Sequence, residues 1–258
     1  MQHSVFALTN KIAIVTGGGT GIGRAIAVEF ARAGADVVVA SRKIDNLEKV
    51  AAEIRGLGKR ALAIATDVRK AEDVENMVGK TMEAFGRIDI LVNNAGASFG
   101  CALEDMTPGG WDVVINIDLR GVFLCSRAVG KVMIKQKGGR IINISSIAGV
   151  YGTPMMAHYG AAKAGVINFT RSLAGEWAKH NINVNCIAPG PIITEGYQGV
   201  RTDAGEEKDL KAGSNALSRW GRPEEIAYPA IFLASEASSF MTGETICIDG
   251  GIVPLGQG

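Results

Sequence analysis

The sequence predicts an α/β protein: a single-domain, doubly wound parallel sheet with helices on both faces. Short aliphatic runs alternate with helical patterns along the chain, no proline-rich or serine-rich linker interrupts them, and a glycine-rich turn joins the first strand to the first helix. Such alternation requires a parallel sheet that is covered by helices on both sides. A chain of 258 residues is long enough to form one large domain of this kind.

Seven runs of aliphatic and β-branched residues are typical of strands buried on both faces. They are Ile12 to Val15, Val37 to Ala40, Ala61 to Ala65, Ile90 to Val92, Arg140 to Ile144, Asn183 to Ile187 and Thr245 to Ile248. A helical pattern that starts at Arg24 is closed by Gly34, because glycine is favoured just beyond a helix C-terminus. The polar stretch from Glu195 to Leu217 breaks the alternation, and such stretches in compact domains are usually functional or mobile.

The glycine-rich turn predicts a dinucleotide-binding, Rossmann-type fold. Thr16-Gly17-Gly18-Gly19-Thr20-Gly21-Ile22-Gly23 lies between the first strand and the first helix, which is the context that such a site needs. Gly17 permits the tight turn, Gly21 lets the backbone approach a pyrophosphate, and Gly23 lets helix and strand pack closely. The N–H groups at the helix N-terminus are free to bind a phosphate. Thr20 and Ile22 complete the predicted cofactor loop.

The end of the second strand indicates NADP(H) rather than NAD(H), with NAD left open. A site for NAD usually carries an acidic residue about 20 positions beyond the glycines, which binds the ribose hydroxyls. Here those positions hold Ser41 and Arg42. No carboxylate repels a 2′-phosphate there, and the Arg42 guanidinium can pair with one. The alternative for Arg42 is a solvated residue that opens the next helix.

Tyr159 and Lys163 lie four positions apart in a predicted helix, with Ser146 thirteen positions before the tyrosine. Residues four apart share one helix face, so the lysine ammonium can stabilise the ionised phenol. Tyrosine then becomes usable as a proton donor or acceptor near neutral pH. The alternative for Ser146 by itself is an ordinary hydroxyl at a strand end.

These motifs, together with Asn93-Asn94-Ala95-Gly96 and the glycine spacing GxxxGxG, resemble the short-chain dehydrogenase/reductase family. The resemblance extends from about Lys11 to Gly251. Further stretches that fit the family are Asp67-Val68, Ile144 to Gly149, Pro189 to Thr194, Thr242-Gly243 and Asp249 to Gly251.

The resemblance implies a role for each matching position. Ser146 would bind the substrate oxygen, Tyr159 would donate or accept the proton, and Lys163 would also hold the nicotinamide ribose. The remaining implied cofactor contacts are Asp67, Val68, Asn94 and Gly96 in the first half of the chain, about 11–145, and Ile192 and Thr194 in the second half, about 146–258. Asp67 by itself is equally well explained as the N-cap of the following helix.

The family also implies a substrate lid over about 195–217 and a homotetramer. Related enzymes pack their subunits through the segments that correspond here to Phe169 to Ala178 and Thr245 to Ile248. Both statements are expectations from the resemblance.

Asp118 departs from the family pattern, which has asparagine three positions before a Gly-x-Phe element, here Gly121-Val122-Phe123. In the family, the backbone carbonyl at this position holds a water that links the lysine to solvent, so we expect the relay to survive the change of side chain. Nearby Asn116 cannot replace Asp118, since two helical positions are about 200° apart. The alternative is that Asp118 is itself an acid–base group.

Asp118, Ser41-Arg42-Lys43 and Pro189 to Gly196 resemble the 2,4-dienoyl-CoA reductase branch of the family. That branch, however, lacks the tyrosine that this chain retains. We therefore expect hydride transfer between a nicotinamide cofactor and a carbonyl or secondary alcohol, on a 3-oxoacyl thioester, a cyclic ketone or a sugar. A 2,4-dienoyl-CoA or enoyl thioester reductase is the alternative. A non-catalytic nucleotide sensor on the same fold is a third reading, which the retained serine, tyrosine and lysine disfavour.

Composition excludes several other classes. The net charge of +1, without a basic block, gives no support for nucleic-acid binding. No apolar run reaches the roughly 18 residues of a membrane helix, and the first ten residues lack a secretory signal pattern. Cys101, Cys125, Cys186 and Cys247 are scattered, which favours small buried thiols in a reducing cytoplasm. No cluster with metal-ligand spacing is present in the sequence, so no metal is expected.

Overall fold

The structure is a computed structural model, and it describes residues 5–195 and 215–251. Seven parallel strands form one sheet in the order β3-β2-β1-β4-β5-β6-β7. The strands are β1 Ile12–Thr16, β2 Asp36–Ser41, β3 Ala61–Ala65, β4 Ile90–Asn93, β5 Gly139–Ile144, β6 Ile182–Pro189 and β7 Thr245–Ile248. All seven predicted strands are confirmed, with bounds that differ by at most two residues. Most of the expected lid, residues 196–214, lies outside the described residues.

Helices cover both faces of the sheet, as predicted. They are α1 Gly21–Arg32, α2 Ile44–Gly56, α3 Ala71–Phe85, α4 Pro108–Ile115, α5 Gly121–Gln136, α6 Ala148–Tyr151, α7 Ala157–Trp177 and α8 Glu224–Ala234. A π-helical turn, Asn116–Arg120, joins α4 to α5. Short 3-10 turns lie at Leu103–Asp105, Ala178–His180 and Glu236–Ser238.

The core has two layers because each sheet face carries aliphatic side chains. On one face, α1, α2 and α8 bury Phe30, Leu47 and Leu233 against the sheet. On the other face, α3, α5 and α7 pack onto the opposite side chains of the same strands, with Met77 and Met133 fully buried. Each side chain of this size stabilises the fold by about 1.5–3 kcal/mol when it is removed from water.

The strand order reverses beside β1, which pairs with β2 on one side and with β4 on the other. The connections from these strands therefore leave in opposite directions and open a crevice at the carboxyl ends of the strands. Ligands of open α/β sheets bind at such a switch point. The glycine-rich turn, which follows β1, lies at this crevice.

Three details differ from the sequence predictions. The first helix begins at Gly21 rather than Arg24, so the last two motif glycines belong to its first turn. The N-cap alternative for Asp67 is wrong, because α3 begins at Ala71 and its N-cap is Lys70. The expectation of buried thiols holds for Cys125 and Cys186, whereas Cys247 is exposed and Cys101 is half-buried.

Within residues 5–195 and 215–251, no helix is long and apolar enough to span a membrane. Across the same residues, no group of three or more histidine, cysteine, aspartate or glutamate side chains is arranged to hold a metal ion.

Candidate active site

A cleft of about 830 Å³ lies at the carboxyl edge of the sheet. Its walls combine the glycine-rich turn with the ends of β4, β5 and β6 and the first turns of α7. The predicted site residues that line it are Gly17, Thr20, Gly21, Ile22, Gly23, Asn94, Gly96, Asp118, Ser146, Tyr159, Lys163, Ile192 and Thr194. The fold thus brings together positions that are separated by up to 177 residues in the sequence, counted from Gly17 to Thr194.

The glycine-rich turn has the backbone that its glycines permit. Gly17 and Gly21 have φ angles of +65° and +52°, a region that side chains with a Cβ rarely adopt. A Cβ on Gly23 would overlap the Gly17 carbonyl and the Asn94 amide. The first turn of α1 therefore packs directly against the glycine turn, and the two present one continuous backbone surface to the cleft.

Asn94 and Thr16 brace this turn from the neighbouring strand. The Asn94 side chain donates to the carbonyls of Thr16 and Gly17, at 3.0 and 3.3 Å. In return, the Thr16 hydroxyl accepts the N–H groups of Asn94 and Ala95. Because these bonds join β1 to β4 across the switch point, they hold the shape of the turn before any ligand arrives.

A second cavity of about 440 Å³ adjoins the cleft at the end of β2. Its walls include the predicted residues Ser41, Arg42, Asp67 and Val68, and we call it the arginine hollow. Arg42 is exposed and, within the described part of the chain, forms no side-chain hydrogen bond or ion pair. Its guanidinium is therefore available to an anionic ligand.

Asp67 is already engaged on the opposite wall of the arginine hollow. Its carboxylate accepts the Arg69 N–H and pairs with the Arg69 guanidinium, with an Nη2–Oδ2 distance of 2.5 Å. The hydrogen bond from the Arg69 side chain is the largest cause that lowers the pKa of Asp67 from 3.8 to about 2, with a smaller contribution from Arg42. Asp67 is thus ionised at neutral pH and cancels the charge of Arg69 rather than that of Arg42.

Ser146, Tyr159 and Lys163 converge in the cleft. Ser146 follows β5, and its hydroxyl oxygen accepts the Ala148 N–H at 3.1 Å, which leaves its own O–H free to donate. Tyr159 is half-buried in the first turn of α7. Lys163 lies one turn later, with Nζ 5.5 Å from the centre of the Tyr159 ring. The predicted juxtaposition of these three side chains is therefore present in the structure.

Buried polar contacts fix α7 to the sheet and so position its Tyr159 and Lys163 side chains. Ser145 donates to the Lys163 carbonyl at 2.8 Å. Deeper in the core, the Asn93 side chain donates to Asn143 Oδ1, and Asn143 Nδ2 donates to the Thr170 hydroxyl on α7. Sequence reasoning missed this network, although two asparagines at the ends of buried strands are an unusual signal.

Asp118 lies in the π-helical turn and is fully buried. Its Oδ1 is 2.9 Å from Lys163 Nζ, and its Oδ2 accepts the Ala97 N–H at 3.1 Å. Lys163, only 4% exposed, also donates from Nζ to the Ile144 carbonyl at 3.1 Å. From the sequence we expected the backbone carbonyl of Asp118 to act, with its carboxylate as an acid–base group in the alternative; neither expectation included the direct pairing of this side chain with Lys163.

The pair changes the electrostatics of Lys163. Burial acts to lower the pKa of the ammonium, but attraction to the Asp118 carboxylate, and then to Tyr159, outweighs it and raises that pKa above its ordinary value of 10.5. Gly96 is part of the arrangement, because a Cβ there would lie 2.6 Å from Asp118 Oδ1. A buried carboxylate beside the lysine thus requires a glycine in the preceding loop.

Glu195 is a further residue that sequence reasoning did not single out. Its Oε2 accepts the Gly21 N–H at 2.8 Å, at the N-terminus of α1. The preceding residue, Thr194, lies beside the same glycine. A carboxylate therefore sits at the backbone donor where a phosphate was predicted, and an anionic ligand must displace it or share the site with it.

Three known proteins are similar to this chain over nearly its whole length. The 3-oxoacyl-[acyl-carrier-protein] reductase of Synechocystis is 43% identical, covering 96% of this chain and 98% of the relative. The 2-dehydro-3-deoxy-D-gluconate 5-dehydrogenase of Escherichia coli K12 is 40% identical, covering 97% and 98%. The peroxisomal 2,4-dienoyl-CoA reductase of Danio rerio is 38% identical, covering 96% and 83%.

Solved structures and a family model agree with these relatives. A short-chain type dehydrogenase/reductase from Mycobacterium marinum has a TM-score of 0.89 at 39% identity, covering 96% of this chain and 98% of that one. A proposed NAD(P)-dependent gluconate 5-dehydrogenase from Beutenbergia cavernae, with NADP bound at low occupancy, has a TM-score of 0.88 at 37% identity, covering 96% and 98%. The family model for enoyl-(acyl carrier protein) reductase matches residues 17–253. The chain belongs to the short-chain dehydrogenase/reductase family.

Proposed function

We propose that the protein is an NADP(H)-preferring oxidoreductase that acts on a carbonyl or secondary alcohol, with Tyr159 as its proton donor and acceptor. Family membership carries the oxidoreductase class. The observation that carries the chemistry is the convergence of Ser146, Tyr159 and Lys163 on the cleft that the glycine-rich turn also lines. A sensor that used the nucleotide only as a signal would have no need for this acid.

The residues present fit a nicotinamide dinucleotide. Gly17, Gly21 and Gly23 let the glycine-rich turn pack closely at the α1 N-terminus, where backbone N–H groups can bind a pyrophosphate. The unpaired Arg42 supports a preference for the 2′-phosphate of NADP(H), and the related Beutenbergia structure contains NADP. When bound, this cofactor supplies or accepts the hydride. NAD remains the second cofactor in our proposal.

In the reductive direction, the chain's own residues would stabilise and protonate the substrate oxygen. The free Ser146 O–H would donate to it, and the Tyr159 hydroxyl would transfer its proton as negative charge develops there. The Lys163 ammonium, held by Ile144 and Asp118, would stabilise the phenolate that remains. In the oxidative direction, the phenolate would accept the same proton.

The cleft favours a neutral, extended carbonyl substrate such as a 3-oxoacyl thioester. Phe99, Met156, Ile192 and Trp220 line it with apolar surface. Among the described lining residues, Lys163 is the only cation, and Asp118 already pairs with it. A sugar acid would bring a second carboxylate without a partner on these walls. The Synechocystis relative, a 3-oxoacyl thioester reductase by name, supports the same choice.

Asp118 favours a second candidate, the reduction of an enoyl or 2,4-dienoyl thioester. The Danio rerio relative is a 2,4-dienoyl-CoA reductase, and the matching family model carries an enoyl reductase description. The retained Tyr159 places this candidate behind ketone reduction, since that residue is suited to protonating an oxygen.

We further propose a homotetramer that packs through residues 169–178 of α7 and its extension and through β7. The last strand, β7, is an edge strand, and its Cys247 is exposed. Sedimentation at micromolar concentration should give a mass of four chains. A fully active monomer would contradict the assembly proposal without affecting the chemistry.

The central experiment measures NADPH oxidation with acetoacetyl, crotonyl and 2,4-hexadienoyl thioesters, a cyclic ketone and a keto sugar acid. We expect acetoacetyl thioester to be the best substrate. Tyr159→Phe should then lower kcat by about 10²–10⁴-fold while cofactor affinity stays nearly constant. The matched control is Tyr228→Phe, which removes an exposed hydroxyl on α8. Undiminished turnover in Tyr159→Phe would overturn the proposed acid.

A further inference from the structure

The Lys163–Asp118 pair is the feature of the active site that hydride transfer alone does not explain. Asp118 is fully buried, its Oδ1 lies 2.9 Å from Nζ, and Ala97 holds its second oxygen. A buried carboxylate is costly unless it is paired and hydrogen-bonded, and both conditions are met here. The fold therefore compensates this carboxylate beside the lysine that faces Tyr159.

The charge that Tyr159 experiences is set by few groups. On α7, Lys163 supplies one positive charge, and the π-helical turn supplies the opposing charge of Asp118. On β6, burial raises the pKa of the Cys186 thiol to about 11, so that thiol is neutral at physiological pH. His158, the buried neighbour of Tyr159 on α7, packs against Phe99 with ring centres 4.5 Å apart, and Glu195 accepts the Gly21 N–H. The Lys163–Asp118 pair thus places both a positive and a negative charge on the side of the cleft that Tyr159 faces.

The pair also limits where the ammonium can go. Nζ donates to the Ile144 carbonyl and contacts Asp118, whose own position is fixed by Ala97 and by the absence of a side chain at Gly96. An ammonium has three N–H donors. Ile144 and Asp118 take up two of these donors. The third N–H of Lys163 is left to donate to a ligand or towards Tyr159.

We propose that Asp118 is a positioning residue that neutralises and orients Lys163, so that less positive charge faces Tyr159 and its hydroxyl serves as the acid for carbonyl reduction. The inference rests on the proposed function, because it concerns the same tyrosine. A lone ammonium near a phenol favours the phenolate, whereas an ammonium with a carboxylate beside it does so less. Asp118 acts through Lys163 and need not touch the substrate.

The test is the pH profile of kcat/KM for acetoacetyl thioester reduction at saturating NADPH, in the parent protein and in Asp118→Asn. The variant has nearly the same shape but no charge. Its alkaline limb should move to lower pH by about 1 unit. The acidic limb of 3-hydroxybutyryl thioester oxidation should move by the same amount, because both limbs report the same group in the enzyme–cofactor complex.

A matched control and a second variant keep the test decisive. Asp89→Asn removes another buried aspartate, which pairs with Arg87 and accepts the Ile12 N–H, and its profile should match the parent. Asp118→Ser provides a second uncharged side chain in case Asp118→Asn does not fold. An unshifted limb, an upward shift, or an equal shift in Asp89→Asn would overturn the inference.

The two proposals fail in distinguishable ways. If Tyr159→Phe retains full activity, the proposed acid is wrong and no limb can be assigned to it. If Tyr159→Phe is inactive but Asp118→Asn has the parent profile, the proposed function stands and only the role of Asp118 is wrong. A loss of turnover in Asp118→Asn that is confined to a dienoyl thioester would also overturn the positioning role, because the carboxylate would then be acting in that reaction itself.

Discussion

Two cations of the site occupy opposite environments. Arg42, in the arginine hollow, is exposed and has no ion-pair partner among the described residues. Lys163, in the cleft, is 4% exposed and paired with a fully buried carboxylate. Water stabilises an unpaired charge at the surface, whereas a buried charge needs a partner within the protein. The comparison indicates that the Arg42 charge is available to a ligand, whereas Lys163 contributes to the fold as well as to the proposed chemistry.

The largest expected effect comes from breaking the buried pair. Asp118→Ala leaves Lys163 buried without its counter-charge, so the free energy of unfolding should fall by about 3–5 kcal/mol. Arg42→Ala removes an exposed, unpaired side chain and should change it by no more than about 0.5 kcal/mol. Urea denaturation of both variants measures the contrast. Similar losses of stability in Asp118→Ala and Arg42→Ala would contradict the contrast between a buried, paired charge and an exposed, unpaired one.

The next effect concerns cofactor choice. If Arg42 pairs with a 2′-phosphate, Arg42→Ala should weaken NADPH binding by about 1.5–3 kcal/mol and leave NADH binding nearly unchanged. Titration of each variant with both cofactors measures the difference. Lys43→Ala is the control, since it removes the adjacent exposed cation of the same hollow. Equal affinity of the parent protein for both cofactors would refute the preference for NADP(H).

A smaller effect on the free energy of unfolding is expected from breaking the Asp67–Arg69 ion pair. The pKa of Asp67 is lowered from 3.8 to about 2 in the folded protein, chiefly by the Arg69 hydrogen bond. The stabilisation is therefore present above pH 4 and is lost as the pH falls towards 2. Because Arg69 is partly exposed, the loss in Asp67→Asn should be at most about 1 kcal/mol. Urea denaturation at pH 7 and pH 2.5 measures this loss. The difference in the free energy of unfolding between the parent protein and Asp67→Asn should be smaller at pH 2.5.

The smallest effect concerns the carboxylate at the α1 N-terminus. Glu195 accepts the Gly21 N–H at the donor proposed for the cofactor pyrophosphate. Glu195→Gln removes a competing negative charge, so cofactor binding should strengthen by about 0.3–1 kcal/mol, the range for charges at helix ends. Titration at low and high salt measures it, and the gain should decrease at high salt. Weaker cofactor binding in the variant would show that Glu195 assists the ligand.

The sheet, the glycine-rich turn and the positions of the proposed catalytic serine, tyrosine and lysine could all be predicted from the sequence. Strands such as Ile12–Thr16 are buried on both faces, so nearly all of their residues are apolar. Such a run can be recognised in the sequence without knowing which strands lie beside it. Tyr159 and Lys163 are also local, because a spacing of four fixes their shared helix face. Asp118 was visible as a departure from the family pattern, but its partner was not.

The surroundings of these residues could not be predicted, because they depend on how the whole chain packs. The Asp118–Lys163 pair joins residues 45 positions apart, and the Glu195–Gly21 contact joins residues 174 positions apart. Neither follows from a local period, because each depends on how helices and loops meet at the carboxyl edge of the sheet. Whether a charge is free, like Arg42, or neutralised, like Lys163, is a property of burial and neighbours, and these arise only when the chain is packed.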